Sequence, residues 1–442
     1  MHLPKDVLQC IQALENASFP TYAVGGCVRD HLLGLKPHDF DLCTAATPEQ
    51  IQSVFADCQL VLAGVKHGTV GVVCPTGVVE ITTFRTEGGY ADGRHPDWVR
   101  FVPNIEEDLA RRDFTVNAMA FSPTRGLCDP FGGEVDLKNR ILRAVGHAPT
   151  RFREDSLRIL RGVRFAVKYA LEPEEQTLRA MKELSGLMDG LARERVFEEM
   201  NKLLLLASAA DLIRFAPILT QPIPELAPAI GFDQRSPHHA YDLFTHIAYV
   251  TAGVPAEPVM RWAALLHDVG KLTTFTQDAT GRGHFYGHAR ESARIAGEIL
   301  LRLKAPTALR EQAVLLIDQH MTRLLPERKL LRRRLSQLGQ STLEQLLQLQ
   351  GADMGSKGTG HEDEREEFNR IRPILDEIYE ENACLTLKDL AVSGADLLKL
   401  GFAPGKALGQ CLQNLLELVV DEALPNDKDA LLCAAQKMLH ER

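Results

Sequence analysis

The pattern of this chain predicts an α+β protein, with a small sheet-bearing head followed by a long all-α remainder. Short Val-, Ile- and Thr-rich segments cluster before about residue 145. From about residue 150 onward, apolar residues recur at three- and four-residue spacing, as in Leu157, Leu160, Val163 and Ala166-Val167. Few strand-like stretches follow.

In the head, residues 22–24 read as a short buried strand. Gly25 and Gly26 form a turn without Cβ atoms, which a phosphate can approach closely, and 28–33 read as a helix whose first N–H groups favour an anion. Segments 61–62, 68–73 and 78–84 run or alternate apolar between Gly and Pro breaks, as strands do, and Gly77 lies in the turn joining the last two. Residues 217–228 are Pro-rich and join two helical units. Residues 354–365, rich in Gly and charge, read as a mobile loop.

At 442 residues, 45% hydrophobic and 25% charged, the chain has the length and composition for several globular domains. The nine cysteines are odd in number and form no C-x-x-C pair. They fit a reducing cytoplasm, with Cys27, Cys43 and Cys74 as small core residues. No signal peptide is evident, nor any apolar run of the ~18 residues needed to cross a membrane. A net charge of −9 argues against non-specific coating of nucleic acid, although local patches such as 151–164 and Arg328-Lys-Leu-Leu-Arg-Arg-Arg334 can still contact phosphates. The second patch reads equally well as a solvated helix face.

Asp39 and Asp41 lie two apart in a β-compatible run, so on a strand both carboxylates face the same way. Either this pair or the Gly25-Gly26 turn is commonplace alone. Together, a phosphate cradle and paired carboxylates suit Mg²⁺ ions bridging substrate phosphates, and point to nucleotidyl transfer.

The run Tyr22-Ala-Val-Gly-Gly-Cys-Val-Arg-Asp30 followed by Asp39-Phe-Asp41 resembles the class II tRNA nucleotidyltransferase and bacterial poly(A) polymerase superfamily. That resemblance implies a mixed β-sheet nucleotidyltransferase head like that of DNA polymerase beta over residues 1–147, with Gly25, Gly26 and Arg29 at the nucleotide. An elongated all-α neck (148–225), body (226–360) and tail (361–442) would follow. Glu80 reads as a third acidic group acting on the attacking hydroxyl, or equally as a partner for Arg85. Glu107-Asp-Leu-Ala-Arg-Arg-Asp-Phe-Thr-Val-Asn-Ala-Met119 resembles the family's sugar- and phosphate-holding segment. There Arg112 offers a planar fork to phosphate oxygens, Asp113 accepts from a ribose hydroxyl and Asn117 braces the turn. Thr86-Glu-Gly-Gly-Tyr-Ala-Asp-Gly-Arg-His-Pro96 resembles the flexible loop used in switching nucleotides, which disfavours a CC-only adder.

Arg151-Phe-Arg-Glu-Asp-Ser-Leu-Arg-Ile-Leu-Arg-Gly-Val-Arg-Phe165 resembles the E-D-x-x-R templating motif. On a helix, Asp155 and Arg158 share a face and together offer acceptors and donors to the Watson–Crick edge of a base, while Arg161 and Arg164 face the triphosphate. Glu194-Arg-Val-Phe-Glu-Glu199 resembles the E-R-x-x-x-E motif that follows, and reads as bracing.

Leu265-Leu-His-Asp-Val-Gly-Lys271 resembles the HD phosphohydrolase signature. The resemblance implies that 226–360 form an HD domain with a metal set of His246, His267, Asp268 and Asp353, and with His288 and His320 serving a second ion or a substrate phosphate. Imidazole and carboxylate donors suit a transition metal such as Mn²⁺ or Ni²⁺. In the tail, residues 394–405 and the amphipathic stretch 407–420 read as a contact to tRNA, or as plain helix packing.

The implied partners are a tRNA 3′ end, CTP and ATP. The implied activity is template-independent addition of C, C and A, with hydrolysis of a phosphoester at the HD site. Rival readings are a poly(A) polymerase, an A-only adder, and a phosphohydrolase whose head senses nucleotide. The sequence carries no signal of oligomeric state.

Overall fold

The computed structural model describes residues 1–37, 39–88, 98–236, 240–357 and 362–440. Tertiary contacts divide the chain into two units: Met1–Ala227 with Arg302–Ala305, and Pro228–Leu301 with Pro306–Arg442. The segments read separately as head and neck therefore lie in one compact unit.

Nine of the first unit's eleven described strands are β1 (Thr21–Val24), β2 (Asp41–Thr44), β3 (Leu60–Val61), β4 (Thr69–Cys74), β5 (Gly77–Thr83), β6 (Arg85–Gly88), β7 (Trp98–Phe101), β8 (Ala120–Ser122) and β9 (Gly126–Cys128); the other two, Ile141–Leu142 and Glu172–Pro173, pair with each other in parallel. Seven of the nine form one sheet in the order β3-β4-β5-β2-β1-β8-β9. Within it only β2 and β5 run parallel, and every other adjacent pair is antiparallel, so the sheet is mixed. The Val- and Ile-rich sequence of β4 and β5 suits a pleated surface packed on one face. Tyr22, Val24, Cys43, Phe84, Leu109 and Ala120 join in one core cluster, which β2 enters just past Asp41.

The helices here are α1 (Lys5–Asn16), α2 (Gly26–Leu32), α3 (Pro48–Val54), α4 (Ile105–Ala110), α5 (Gly133–Lys138), α6 (Ala148–Glu154), α7 (Leu157–Tyr169), α8 (Glu175–Glu183), α9 (Arg193–Leu204), α10 (Ala209–Arg214) and α11 (Ala216–Leu219). Thr47 and Gln50 close a capping box on α3, as Ser208 and Asp211 do on α10. α7 rides close on the strand-rich part because Gly162 has no side chain: a Cβ there would meet the Phe114 ring at 2.9 Å.

The second unit is helical: α12 (Leu243–Gly253), α13 (Pro258–Leu266), α14 (Lys271–Thr274), α15 (His288–Arg302), α16 (Thr307–Gln319), α17 (Arg328–Leu338), α18 (Gln340–Gly355), α19 (Glu362–Asn369), α20 (Ile371–Glu380), α21 (Gly394–Lys399), α22 (Lys406–Val420) and α23 (Lys428–His440). Its last three helices share their own apolar cluster around Leu397, Cys411, Leu415 and Leu431, which supports the packing reading of that stretch.

Three expectations change. Of the stretch 354–365, residues 354–355 end α18 and 362–365 begin α19; residues 358–361 lie outside the described residues, as do 89–96 of the proposed switching loop. The Pro-rich 217–228 segment is itself helical, with α11 and a 3₁₀ turn at Pro224–Ala229. Much of the basic run on α17 is paired within the unit, while Arg334 donates to Gln337. Buried Arg332 donates to the terminal carbonyls of Val419 and Val420 on α22, and Arg333 and Arg328 pair with Asp421 and Glu422. No helix among the described residues is long and apolar enough to cross a membrane.

Candidate functional site

β2 opens on Asp41, opposite Val24 of β1, and runs parallel to β5 with Leu42 beside Ile81. One residue back along that register, Glu80 comes next to Asp41 on the same face, because side chains alternate with period two. Asp39 precedes the strand, which corrects the expectation that both aspartates share a strand face. The three carboxylates still line one cleft of about 960 Å³, together with His31, Lys36 and residues 76–79. Partial burial and the charge of Glu80 raise the Asp41 carboxyl above its ordinary value. Arg112 opposes that rise and Asp39 adds to it. Hard oxygen donors that repel one another in an open cleft fit a hydrated divalent cation such as Mg²⁺.

Gly25 has φ +69°, a conformation that costs glycine nothing, and a Cβ there would lie 2.7 Å from Arg112 Nη1. Its own N–H donates to the Met119 carbonyl at 3.0 Å, so this amide is already used. Arg112 also reaches Asp108, at 3.4 Å, while its buried Nε meets no hydrogen-bond partner among the described residues. Arg29 is not turned to a ligand. It is buried, donates to Asp30, Asn117 and the Tyr169 hydroxyl, and lies over the Tyr169 ring, so it ties α2 to α7.

Behind Arg112 runs a chain of ion pairs. Asp113 accepts from its neighbour's amide at Phe114, from Asn117 Nδ2 at 3.0 Å and from Arg161 Nε at 2.9 Å. Burial works against its charge, but the Arg161 guanidinium and the Asn117 bond hold its carboxyl down at about 2. Asp113 is therefore an internal brace in this state, not a free acceptor for a ribose hydroxyl. Arg164 forks onto Glu199 of α9 at 2.7 and 3.1 Å, and Arg161 lies 3.8 Å from the same carboxylate. These two arginines are engaged by acids where the sequence suggested a triphosphate.

The templating segment is not one helix. Asp155 breaks it between α6 and α7, with extended backbone and a carboxylate oxygen accepting from Leu157 N at 3.1 Å. An aspartate that bonds its own backbone favours a helix boundary over a helix interior. Asp155 pairs with Arg195 at 2.9 Å. Arg158 turns instead to Glu154 and to the carbonyls of Arg151 and Arg111. The expected coplanar Asp155–Arg158 pair is absent here. Arg195, passed over in the sequence except as part of its motif, is the residue that holds Asp155.

The second unit brings together all six residues of the other candidate set. The ligating atoms of His246, His267, Asp268 and Asp353 all lie within 4.8 Å of one another, as do those of Asp268, His288 and His320, so Asp268 joins both groups. All six are buried. Each ring is oriented through Nδ1: His267 to Ala264 O at 2.7 Å, His288 to Phe285 O at 2.7 Å, His320 to Ile317 O at 2.6 Å and His246 to Ser356 Oγ at 3.0 Å. A carbonyl can only accept, so Nδ1 of the first three rings carries a proton, which leaves Nε2 as the atom turned to the centre. Nε2 of His288 and of His320 is buried and meets no hydrogen-bond partner among the described residues. Orphaned imidazole nitrogens around a shared carboxylate fit one or two transition-metal ions. Lys271 lies 2.7 Å from Asp268, and Lys357 3.0 Å from Asp353. The signal for Lys357 and Ser356 was only their place one turn beyond Asp353.

Three family models match the chain: the poly A polymerase head domain over residues 21–143, the RNA- and SrmB-binding site of polymerase A over 170–230, and tRNA nucleotidyltransferase domain 2 over 289–435. Among curated proteins, the chain is 33% identical to the CCA-adding enzyme of Latilactobacillus sakei, covering 98% of this chain and 97% of that one. It is also 33% identical to that of Streptococcus sanguinis, covering 97% and 96%. Among solved structures it resembles the Bacillus stearothermophilus CCA-adding enzyme in complex with CTP, with TM-score 0.71, 26% identity, and 100% and 99% of the two chains covered. The fold is shared as well by the Thermotoga maritima CCA-adding enzyme complexed with tRNA, with TM-score 0.62 and 20% identity over 99% and 96%.

Proposed function

The chain belongs to the CCA-adding enzymes, tRNA nucleotidyltransferases of the poly(A) polymerase superfamily, and from that premise we propose that it adds C, C and A from CTP and ATP to a tRNA 3′ end. The observation that carries this reading is the meeting of Asp39, Asp41 and Glu80 in one cleft beside the Gly25–Arg112 contact.

In the reaction, the terminal 3′-hydroxyl oxygen bonds to the α-phosphorus, the α–β bridging bond breaks, and pyrophosphate leaves with its charge. Asp39 and Asp41 would hold Mg²⁺, which supplies charge neutralisation at attacking and leaving oxygens. Glu80, beside Asp41, is placed to take the hydroxyl proton or to orient the group. Arg112, with a donor to spare against a turn lacking a side chain, holds phosphate oxygens. Base choice falls to Asp155 and Arg158, in which case substrate draws Arg158 off Glu154. Arg161, Arg164, Asp113 and Glu199 keep that wall of the cleft in register.

Incubation with tRNA lacking CCA, with CTP, ATP and Mg²⁺, tests this. Ordered addition of C, C and A is expected, whereas long A tracts or ATP-only extension would replace the reading with a poly(A) polymerase or an A-only adder.

The second unit favours a further reading on its own observation, the orphaned imidazole nitrogens of His288 and His320. His246, His267, Asp268 and Asp353, with His288 and His320, would hold Mn²⁺ or a similar ion, which supplies an activated water and neutralises phosphate charge. The reaction class is phosphoester hydrolysis: a water oxygen bonds to phosphorus, the P–O ester bond breaks, and the departing oxygen takes a proton. Phosphate release that survives Asp41→Ala and is lost in Asp268→Ala is the expected result; no release with any ion would leave the centre structural.

A further inference from the structure

We infer that Cys58, Cys74 and Cys10 form a thiol relay, which a low-molecular-weight disulfide oxidises to a Cys10–Cys74 bond tying together two walls of the carboxylate cleft. The bond is a modification site of the first unit, and the slowing of transfer it brings rests on the reading of that cleft given above.

The three thiols come from separate segments. Cys10 is on α1, one turn beyond Asp6; Cys74 ends β4; Cys58 precedes β3. The sulfurs of Cys10 and Cys74 stand 3.9 Å apart, in contact but unbonded. A disulfide needs about 2.0 Å between them. The antiparallel register that sets Leu60 beside Val72 and Val61 beside Gly71, carried two residues on, brings Cys58 opposite Cys74, and Val73 N donates to Gln59 O at 3.0 Å along that line. Cys58 is exposed, Cys74 half-buried and Cys10 buried, so the cluster runs from solvent to core. Burial, and then the neighbouring Cys74, push Cys10 up to about 12, and burial raises Cys74 as well. The inner pair therefore keeps its protons, and the outer thiol is the one an oxidant meets.

His2, Pro4 and Val7 line the cleft from the α1 side, and Thr76 to Glu80 line it from the hairpin of β4 and β5. Thr76 donates to Asp6 Oδ2 through its amide at 3.1 Å and through its hydroxyl at 2.6 Å, so helix and hairpin already meet at the cleft's edge. β4 is paired with β5 along its whole length, from Thr69 beside Thr82 to Cys74 beside Gly77, and β5 carries Glu80. Drawing Cys74 toward Cys10 therefore shifts the strand pair that presents Glu80 to Asp41. It also makes permanent a contact that hydrogen bonds alone leave free to open. In reducing surroundings such a bond is transient, which suits a reversible brake and not a staple.

The Cys58 thiolate bonds to one sulfur of the small disulfide RS–SR, and the other leaves as RS⁻ and takes a proton. The Cys74 sulfur, shedding its proton, bonds to the Cys58 sulfur and displaces the second RS⁻. The Cys10 sulfur, shedding its proton, then bonds to Cys74, and Cys58 leaves as the thiolate it began as. Two protein thiols are oxidised, and one small disulfide is reduced to two thiols.

The test exposes the full reduced chain to oxidised glutathione, quenches by alkylation and maps the linked peptides by mass. A Cys10–Cys74 link is expected, with tRNA extension slowed about 10-fold, a modest share of what a 1 Å misplacement costs, and restored by dithiothreitol. Cys58→Ser should form the same link about 5-fold more slowly, having lost the exposed attacking thiol. Cys74→Ser should keep its full extension rate in oxidised glutathione. A link that stops at Cys58–Cys74, glutathione that stays on Cys58, or no link at all in the folded chain would overturn the relay. A Cys10–Cys74 link that leaves extension unchanged, or equal slowing of Cys74→Ser by oxidised glutathione, would overturn the action on the cleft. A reduced chain that extends no tRNA would overturn the CCA-adding reading alone, and the mapped link still decides the relay.

Discussion

The carboxylate cleft of the first unit and the His/Asp centre of the second gather metal-type donors by opposite means. Asp39, Asp41 and Glu80 line an open cleft, and partial burial, with repulsion from Glu80 and Asp39, lifts the Asp41 carboxyl. In the second unit, every imidazole is aimed beforehand by a bond through Nδ1, and the ligating atoms are buried. The contrast teaches that a site which must admit RNA, a nucleotide and pyrophosphate in turn keeps its charges hydrated. A site for one compact group can place its donors in advance.

The contrast is most exposed to Asp41→Asn. Transfer should fall by about 10³-fold or more, about 4 kcal/mol of activation free energy, while thermal stability stays level or rises because a repelling charge is gone. A marked loss of Tm in this variant would show the cleft to be structurally committed after all. The converse is His267→Ala, for which Mn²⁺ affinity should drop by about 100-fold, measured by competition with a chelating dye, and CCA addition should stay within 2-fold.

The ion-pair wall behind the cleft is sharpened by Arg161→Ala, which leaves the Asp113 carboxylate with one strong partner fewer. Arg161 is 36% exposed, so solvent screens part of the loss, and about 2 kcal/mol of unfolding free energy is expected. The sign with pH follows. Asp113 is held at about 2 in the folded chain against an ordinary 3.8, so its stabilising contribution is complete above about pH 4 and disappears as pH falls through 2. Acid unfolding curves of the variant should show a shallower loss over that window. Smallest is Ser356→Ala, which removes only the hydroxyl steadying His246 Nδ1. About a 10-fold weakening of Mn²⁺ binding is expected, and unchanged binding would mean that the other rings alone organise the centre.

The mixed sheet followed by helices was legible because residue periodicity is local. β4 runs apolar and β5 alternates buried with exposed residues, as Gly- and Pro-bounded strands do, and Leu157, Leu160 and Val163 lie on one buried face of α7. The second-unit set was legible for a related reason: histidine and aspartate recur in an order that few other uses require. What spacing could not supply was which partner each charge chooses. Arg158 and Asp155 are three apart in sequence, yet Arg158 goes to Glu154 and Asp155 to Arg195, forty residues away.

By itself, then, the order of residues determined the class of fold and the acids and imidazoles that can hold cations. Only the tertiary structure decided that Asp113, Arg161, Arg164 and Glu199 satisfy one another, that Arg29 is a clamp, and that Gly25 leaves room for Arg112 against the β1–α2 turn. The physical reason is range. Backbone propensity and side-chain period act over a few residues, whereas a buried charge must find an opposite charge wherever the fold brings one within about 4 Å, and sequence distance places no limit on that search.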